Sequence, residues 1–501
     1  MQETIFAVIN LGSSYISGMI ASRLPNGRIN PRAYYQAPSQ GIIHGCIHNI
    51  NDVATVVDHV VDRLNQDFSE GYISSVYVGL DCQSMRSHTF KAQLSFEGEG
   101  LILDQSHIQE LQRKALDKTY VGQSVLHITE PRYYVDGRLE SKPRGVRATH
   151  VEACYQIITV RKEIERSVYD VFEQRLGLSV ADILVAPIAE ANVALTKGEM
   201  MQGCAYINIG GGTTSISVYH NRLLTALCVL PLGGDNVTRD LQHLKLLEAD
   251  AEQVKLRYGS MNLEVSQQDQ ITANNINGTG QKSFLRIDIN RLIHARMTEL
   301  TTNIFSLLQE LAPEAPIHTL AFSGGATQLR GYMDEYLPSL DLPDEGFRQA
   351  AVRHEAVHES VDTPQFLTSY HTVIGLVSMA TIHCMATDVA SLDTLLDEVD
   401  SQQGGESKST QSSEQQTATA TVEELQHEEE RNYEWDNRTD DEEEDTDTLE
   451  DEELDEDLDD DEEEDEDEEV PQEKQSLDIR GFFQKGIDAL DGLFGGKKSK
   501  S

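Results

Sequence analysis

Over roughly the first 390 residues, apolar positions fall in short runs separated by glycine-bearing polar turns. Ile5 to Ile9 is such a run. It stops at Asn10-Leu11-Gly12-Ser13-Ser14 and returns at Tyr15 to Ala21, the pattern of a β-hairpin with a phosphate-sized loop. Asp52 to Leu64 then sets Val53, Val56, Val57, Val60, Val61 and Leu64 on one helical face, and Ile73 to Leu80 reads as a buried strand. Strand and helix alternate, which predicts an α/β fold.

The pattern changes from about Ser84 to Thr159. Strands at His88 to Phe96, Val125 to Ile128, Arg132 to Val135 and Val151 to Val160 flank one helix at His107 to Leu116, as in a small inserted α+β domain. The α/β alternation resumes with a helix at Glu163 to Arg175, a strand at Val180 to Val185 and a helix at Ala189 to Leu195. A second strand, turn and strand follow: Ala205 to Ile209, Gly210-Gly211-Gly212-Thr213-Thr214, and Ser215 to Tyr219. This repeat predicts duplicated domains facing each other across a phosphate. Helices at Asn236 to Gln242 and Ala249 to Arg257, a loop near Asn274 to Gly280, and a long helix at Ile289 to Leu311 come next. Ile317 to Phe322 feeds Ser323-Gly324-Gly325-Ala326 and a further helix, and the apolar helix Val373 to Cys384 ends the folded part. The expected organisation is a first domain from 1–83 and 161–200, an insertion at 84–160, and a second domain at 201–390 with its own insertion near 240–305.

Composition alters the picture mainly after residue 390. The 501-residue chain has a formal net charge of -45, and Asp440 to Glu469 alone holds 25 acidic residues and no basic one. Residues 391–475 therefore read as a disordered acidic linker, extended by its own repulsion. The remaining body is only moderately acidic and has no Lys/Arg-rich run, which argues against nucleic-acid binding. The segment 476–501 is periodic again. Ile479, Phe482, Phe483, Ile487, Leu490, Leu493 and Phe494 share an arc of roughly 140° on a helical wheel, with Arg480, Gln484, Lys485, Asp488 and Asp491 outside it. Ser476 suits the N-cap and Gly495-Gly496 the stop. Three phenylalanines with Lys497, Lys498 and Lys500 fit an anionic lipid interface, and the helix is too short and too charged to span one. A single short helix binds lipid weakly, so stable attachment needs several tails on one assembly. The N-terminus has no basic region followed by an apolar stretch, and no run of 18 apolar residues occurs, so the body is expected to be neither exported nor membrane-spanning. Six scattered cysteines without CxxC pairs read as small buried hydrophobes rather than a zinc site or disulfide framework.

Glycine and hydroxyl residues in a hairpin turn let backbone N–H groups converge on a phosphate. One such turn says little, but three occur in order: NLGSSYISGMI at 10–20, NIGGGTTSISVY at 208–219 and LAFSGGATQLRGY at 320–332. In that order they resemble the phosphate 1, phosphate 2 and adenosine motifs of the actin/Hsp70/sugar-kinase ATPase superfamily. Within it the chain is similar to the bacterial cell-division FtsA family, with further matching segments ISSVYVGL at 73–80, PIAEANVAL at 187–195, LPLGGDNVTRDL at 230–241 and AEQVKLRYG at 251–259. The insertion at 84–160 lies where that family carries its distinctive SHS2-like subdomain, and the terminal helix adds to the likeness. The resemblance covers about residues 4–385 plus the tail tip. It implies actin-like (ribonuclease H-like) duplicated domains around a nucleotide cleft that takes ATP or ADP.

Carried over by position, Gly12, Ser13 and Ser14 would line one side of the phosphates, and Gly210, Gly211, Gly212, Thr213 and Thr214 the other. Gly324, Gly325 and Ala326 would approach the adenosine, with Glu252 and Lys255 near the ribose and base. By spacing alone, Glu252 and Lys255 read equally as an exposed i, i+3 helix pair. The departures are specific. Both phosphate turns of the family normally open with an aspartate that organises hydrated Mg2+, and here Asn10 and Asn208 stand instead. Asparagine can accept from metal-bound water but adds no charge, so Mg2+ binding should weaken. Ala186 precedes Pro187, where relatives often carry a polar residue that orients water. Nucleotide binding with weak or absent hydrolysis is the expectation.

The resemblance further implies a peripheral protein that polymerises on the cytoplasmic face of the bacterial inner (plasma) membrane at the division septum. There it would anchor filaments of the tubulin-like protein FtsZ and recruit other divisome proteins. A competing reading is an actin-fold platform of a pilus or secretion machine, similar to PilM. An active sugar kinase or Hsp70-like chaperone conflicts with Asn10, Asn208 and Ala186.

Overall fold

Two five-stranded sheets with the same strand order form the frame of the computed structural model, which describes residues 4–386 except 267, 275–280, 313–316, 341–345 and 359–367. The acidic linker expected at 391–475, the helix expected at 476–494 and most of the loop expected near Asn274 to Gly280 lie outside the described residues.

In the first sheet the order is Ile29–Pro38, Tyr15–Arg23, Ile5–Leu11, Ser75–Leu80, Ser179–Val185. In the second it is Leu223–Leu230, Thr214–His220, Cys204–Ile209, Thr319–Ser323, Gly346–Gln349. Each begins as an antiparallel meander and continues parallel from its central strand. The central strands Ile5–Leu11 and Cys204–Ile209 are covered on both faces, which is why they read as continuous apolar runs rather than alternating ones.

The helix Ile50–Asp67 buries Val53, Val56, Val57, Val60 and Leu64, with Asn49 as N-cap accepting from the Asn51 and Asp52 N–H groups. Burying those five side chains is worth on the order of 10 kcal/mol before chain entropy is subtracted. It packs against the sheet where Gly18 has no Cβ: one there would come within 2.7 Å of Ile9 and Leu64.

The insertion forms its own sheet, with Arg86–Ser95, Gln123–Ile128 and Arg132–Val135 all paired to the long strand His150–Arg161. Its separate core holds Leu111 and Ala115 of the helix Gln105–Leu116 against Ala92, Val151, Ala153 and Ile157.

Three expectations change. The helix expected at Glu163 to Arg175 is helical over Lys162–Tyr169 and then widens into an i to i+5 turn at Asp170–Arg175. The helix expected after Ala326 is displaced and irregular: Gly325–Gln328 is a tight turn, Gly331 enters the left-handed region at φ 77°, and a wide turn at Tyr332–Tyr336, in which the Tyr336 N–H reaches the Gly331 carbonyl five residues back, runs into the short helix Leu337–Ser339. The last helix runs from Thr368 to Met379, not to Cys384. Arg23 ends it by donating to the carbonyls of Val377, Ser378 and Ala380 at 2.7–2.9 Å, so the chain turns into the short strand Met385–Ala386 beside Tyr72–Ile73. Among the described residues no helix is long and apolar enough to cross a membrane.

Candidate functional site

In each sheet the turn after the central strand lies at the carboxyl end of the parallel strands, where ligands of open α/β sheets bind. Gly12 makes the first turn possible: a Cβ there would sit 2.6 Å from the Tyr15 carbonyl. Ser13 Oγ accepts from the Gly45 N–H at 2.9 Å, leaving its proton free to donate. The second turn is closed by the Gly210 N–H on the Thr213 carbonyl, and its own carbonyls are taken up. Gly234 and Asp235, at the start of the helix Gly234–Gln242, donate to the Gly210 and Gly211 carbonyls at 2.9 Å.

The two turns meet. A Cβ on Gly211 would fall 1.9 Å from Ser14 Oγ, and one on Gly212 would fall 2.6 Å from Ser13 Oγ. His44 bridges the same gap, with Nδ1 2.7 Å from the Gly212 carbonyl oxygen. Thr213 is buried in the turn, whereas Thr214 begins the next strand and its hydroxyl donates to the Leu232 carbonyl at 2.7 Å. Of the hydroxyls named from sequence, those of Ser13 and Ser14 therefore face the opposing turn, and that of Thr214 serves the fold.

The third turn closes on the second. Gly324 has φ 97°, and a Cβ there would lie 2.2 Å from the Ile209 carbonyl oxygen and 2.5 Å from Asn208 Oδ1. Gly325 is exposed, and the Ala326 Cβ, Lys255 Nζ and the Gly210 carbonyl converge around Gly234 at 3.5–3.7 Å from its Cβ position. Lys255 and Glu252 do form an i, i+3 ion pair at 2.6 Å, but one turned inward, with Lys255 only 12% exposed. Lys255 Nζ also donates to Thr238 Oγ1 at 2.8 Å and to the Gly234 carbonyl at 3.1 Å, and Thr238 Oγ1 donates in turn to Glu252. Glu252 and Lys255 thus brace the helix that holds the second turn.

A cavity of about 260 Å³ beside these turns is lined by Ser13, His44, Gly212, Asp235, Arg239 and Glu248, among others. Ligand pockets run to roughly 300–1,000 Å³, so this one is at the small end. Its donors suit a phosphate: the Ser13 hydroxyl, the backbone at Gly212 and Arg239 at the wall. The opposing charges are the exposed Glu248 and the half-buried Asp235. Burial raises the Asp235 pKa above the ordinary carboxylate value, with Lys255 pulling the other way.

Two carboxylates behind the turns were not singled out from sequence. Asp81 follows the strand Ser75–Leu80 and has one carboxylate oxygen buried without a hydrogen-bond partner. Burial pushes its pKa up to about 7, opposed by the Ser215 hydroxyl of the other sheet. Glu190, on the helix Ala186–Ala194, is 3% exposed, and accepts from Asn208 Nδ2 at 2.8 Å and from Thr372 Oγ1. Burial raises it too, to about 7, with the Thr372 bond lowering it and the nearby Asp81 charge raising it further. Asn10 lies beside two glycines instead: Oδ1 is 2.9 Å from the Cβ position of Gly79, and Nδ2 is 3.6 Å from that of Gly12. Among the described residues no cluster of His, Cys, Asp or Glu could by itself hold a metal ion.

Residues 205–375 match the family model for cell division protein FtsA. The chain is 35% identical to the cell division protein FtsA of Porphyromonas gingivalis over 80% of this chain and 83% of that one. It is 25% identical to the Bacillus subtilis protein of the same name over 75% and 83%, and 25% identical to that of Escherichia coli K12 over 64% and 79%. Among solved structures, a PilM-PilN type IV pilus biogenesis complex superposes with a TM-score of 0.53 at 15% identity, covering 75% of this chain and 99% of that one, a likeness of fold alone. The duplicated sheets are those of the actin-like fold, and with a relative this similar over this much of both lengths, the chain belongs to the FtsA family of bacterial cell-division proteins.

Proposed function

We propose that this protein binds ATP or ADP between its two sheets and acts in division as an assembling scaffold rather than as a fast ATPase. Ser13, Ser14 and the 210–213 turn would hold the phosphates, and Gly324 to Ala326 would face the adenosine. The observation that carries this reading is the meeting of two like-built hydroxyl and glycine turns in a cleft that the third turn closes. Because Ser14 fills the space beside Gly211, the turns must part by about a side chain's width to admit phosphate. Binding is therefore coupled to the lobe angle, and occupancy can be read by whatever the lobes assemble with.

When bound, Mg2+ supplies positive charge that offsets the phosphates. Here Asn10 and Asn208 can orient its water but bring no anion to hold it, and Asp235 and Glu248 stand at the wall beside Arg239. Ala186 is 1% exposed and has no polar side-chain group with which to orient an attacking water. Slow or absent hydrolysis follows.

The protein would attach to the cytoplasmic face of the plasma membrane through the apolar stripe Ile479 to Phe494, polymerise there, anchor FtsZ filaments at the septum and recruit other divisome proteins. The likeness to PilM is one of fold at 15% identity and lends no support to a pilus platform over division. Two measurements test the proposal. Fluorescent ADP is expected to bind with little dependence on Mg2+, and rapid Mg2+-dependent phosphate release would overturn the scaffold reading. In vesicle flotation, a chain ending at Gln475 is expected to stay at the bottom while the full chain floats, and equal flotation would overturn the membrane reading.

A further inference from the structure

Asn208 lies near the carboxyl end of the second sheet's central strand, paired in register with Ser215 on one side and Ser323 on the other. An amide has a donor end and an acceptor end, and which end faces a ligand depends on what holds the other. Here Nδ2 donates to Glu190 Oε2 at 2.8 Å, so Oδ1 points away from Glu190 and toward the third turn, 2.5 Å from the Cβ position of Gly324. Glu190 is itself pinned. It lies among the buried apolar residues of its helix, is almost fully buried, and takes a second hydrogen bond from Thr372 on the helix Thr368–Met379. That helix packs against Glu190's own, where a Cβ on Gly375 would come within 2.5 Å of the Ala189 carbonyl oxygen.

Turning the Asn208 amide over would set Oδ1 against a carboxylate oxygen. Aspartate at 208 would be worse, because two carboxylates in contact away from water cannot both ionise. An ionised acid at 190 therefore favours an amide at 208. Among the described residues Asn10 makes no matching hydrogen bond to a carboxylate, and glycines 79 and 12 lie beside its amide.

We propose that Glu190 is a positioning residue of the nucleotide cleft, fixing Asn208 so that its Oδ1 faces the ligand, and that it is the reason this position carries an amide. The inference rests on the nucleotide reading above. An uncharged acceptor so placed recognises a donor, such as a hydroxyl or a metal-bound water, and disfavours a bare phosphate oxygen.

The test uses the full chain, fluorescent ADP with and without Mg2+, and thermal melting, for Glu190→Met, Glu190→Gln, Asn208→Asp and the pair Asn208→Asp with Glu190→Gln. Methionine fills the space without accepting the amide, and glutamine still accepts it. Glu190→Met is expected to weaken ADP binding about tenfold, and Glu190→Gln to restore most of that loss. Asn208→Asp should lower Tm, and the double variant should recover it, because glutamine can donate to the new carboxylate, which then makes ADP binding more dependent on Mg2+. A Glu190→Met protein that melts earlier but binds ADP like wild type would show a merely structural role and overturn the proposal. If Glu190→Met does not fold, failure of the double variant to recover the Tm lost in Asn208→Asp overturns it instead. Wild type that binds no ADP overturns the nucleotide reading and this inference together, whereas normal wild-type binding with an indifferent Glu190→Met overturns the inference alone.

Discussion

The two halves of the cleft share a backbone plan but fix their polar side chains differently. Asn10 faces Ser17 and Gly79 in register, and Asn208 faces Ser215 and Ser323. Behind the first half, Asp81 has a buried oxygen without a partner; behind the second, Glu190 has two donors. The duplicated sheets set where each turn goes. What each turn presents is decided by elements that are not duplicated: the hairpin carrying His44, the helix carrying Glu190 and the closing helix carrying Thr372. An orphaned buried acid costs more than a satisfied one, so the first half is the strained side of the cleft and the second the fixed side.

The largest effects should come from the glycines that let each half close. Gly324→Ala would force a Cβ into the Ile209 carbonyl at a φ of 97°, and Gly45→Ala would force one to within 1.9 Å of the Asp81 carbonyl oxygen at a φ of 71°. Neither contact is with a movable side-chain tip. Each substitution is expected to destabilise by about 3 kcal/mol or more in urea unfolding, combining left-handed strain with overpacking. A benign Gly45→Ala would show that the first half closes less tightly than the second.

Next is the pH dependence carried by Asp81 and Glu190. Both carboxyls are raised in the folded state to about 7, from ordinary values of 3.8 and 4.5. Between those limits the native protein keeps protons that the unfolded chain has released, so stability falls as pH rises from about 4 to about 7 and levels off above. The loss per group is on the order of a few kcal/mol, and Asp81→Asn is expected to remove more of the slope than Glu190→Gln, because Asp81 has the unsatisfied oxygen. Equal slopes in the two variants, from melts at pH 5 and 7.5, would erase the distinction between strained and fixed sides. Smaller again is Gly211→Ala, whose Cβ meets the hydroxyl tip of Ser14 at 1.9 Å and, less closely, the Asp235 carboxylate at 2.8 Å. It should cost about 1–2 kcal/mol and be relieved by Ser14→Gly, a recovery that a clash within one lobe would not show.

Much of the frame was legible because its signals are local. Arg132–Val135 ends at the residues the apolar pattern indicates, and the long helix Arg286–Leu311 and the strands of both hairpins agree to within a few residues. The outer strand Ile29–Pro38 was not legible, since its prolines at 31 and 38 mark a turn as readily as a sheet edge. The three glycine turns were visible as motifs, but their mutual contact is a long-range property no spacing encodes. Glu190 and Asp81 had faint signals: one acid inside PIAEANVAL, and one at the carboxyl end of a buried strand. What sequence could not supply is the neighbour of each: Asn208, which donates to Glu190, and Ser215 of the opposite sheet, which lies near Asp81.

The smallest expected effect isolates the bridge between the halves. His44 and Gly45 are the two corner residues of a hairpin whose strands pair Ile43 with Cys46, and both have positive φ, 49° and 71°, as a type I′ turn requires. Histidine is held there against its backbone preference, and its Nδ1 contact with the Gly212 carbonyl offsets that strain. His44→Gly removes the bridge and the strain together, so the net stability change should stay within about 1 kcal/mol. The lobes, however, lose a tie that holds them together without stabilising either one. Hydrogen exchange should therefore speed up at both turns, residues 11–14 and 210–213, while Tm hardly moves, and ADP should associate faster because the turns part more readily. Faster exchange at the first turn alone would mean that His44 braces its own hairpin, and that the two halves are held shut by the Ser13 and Ser14 contacts instead.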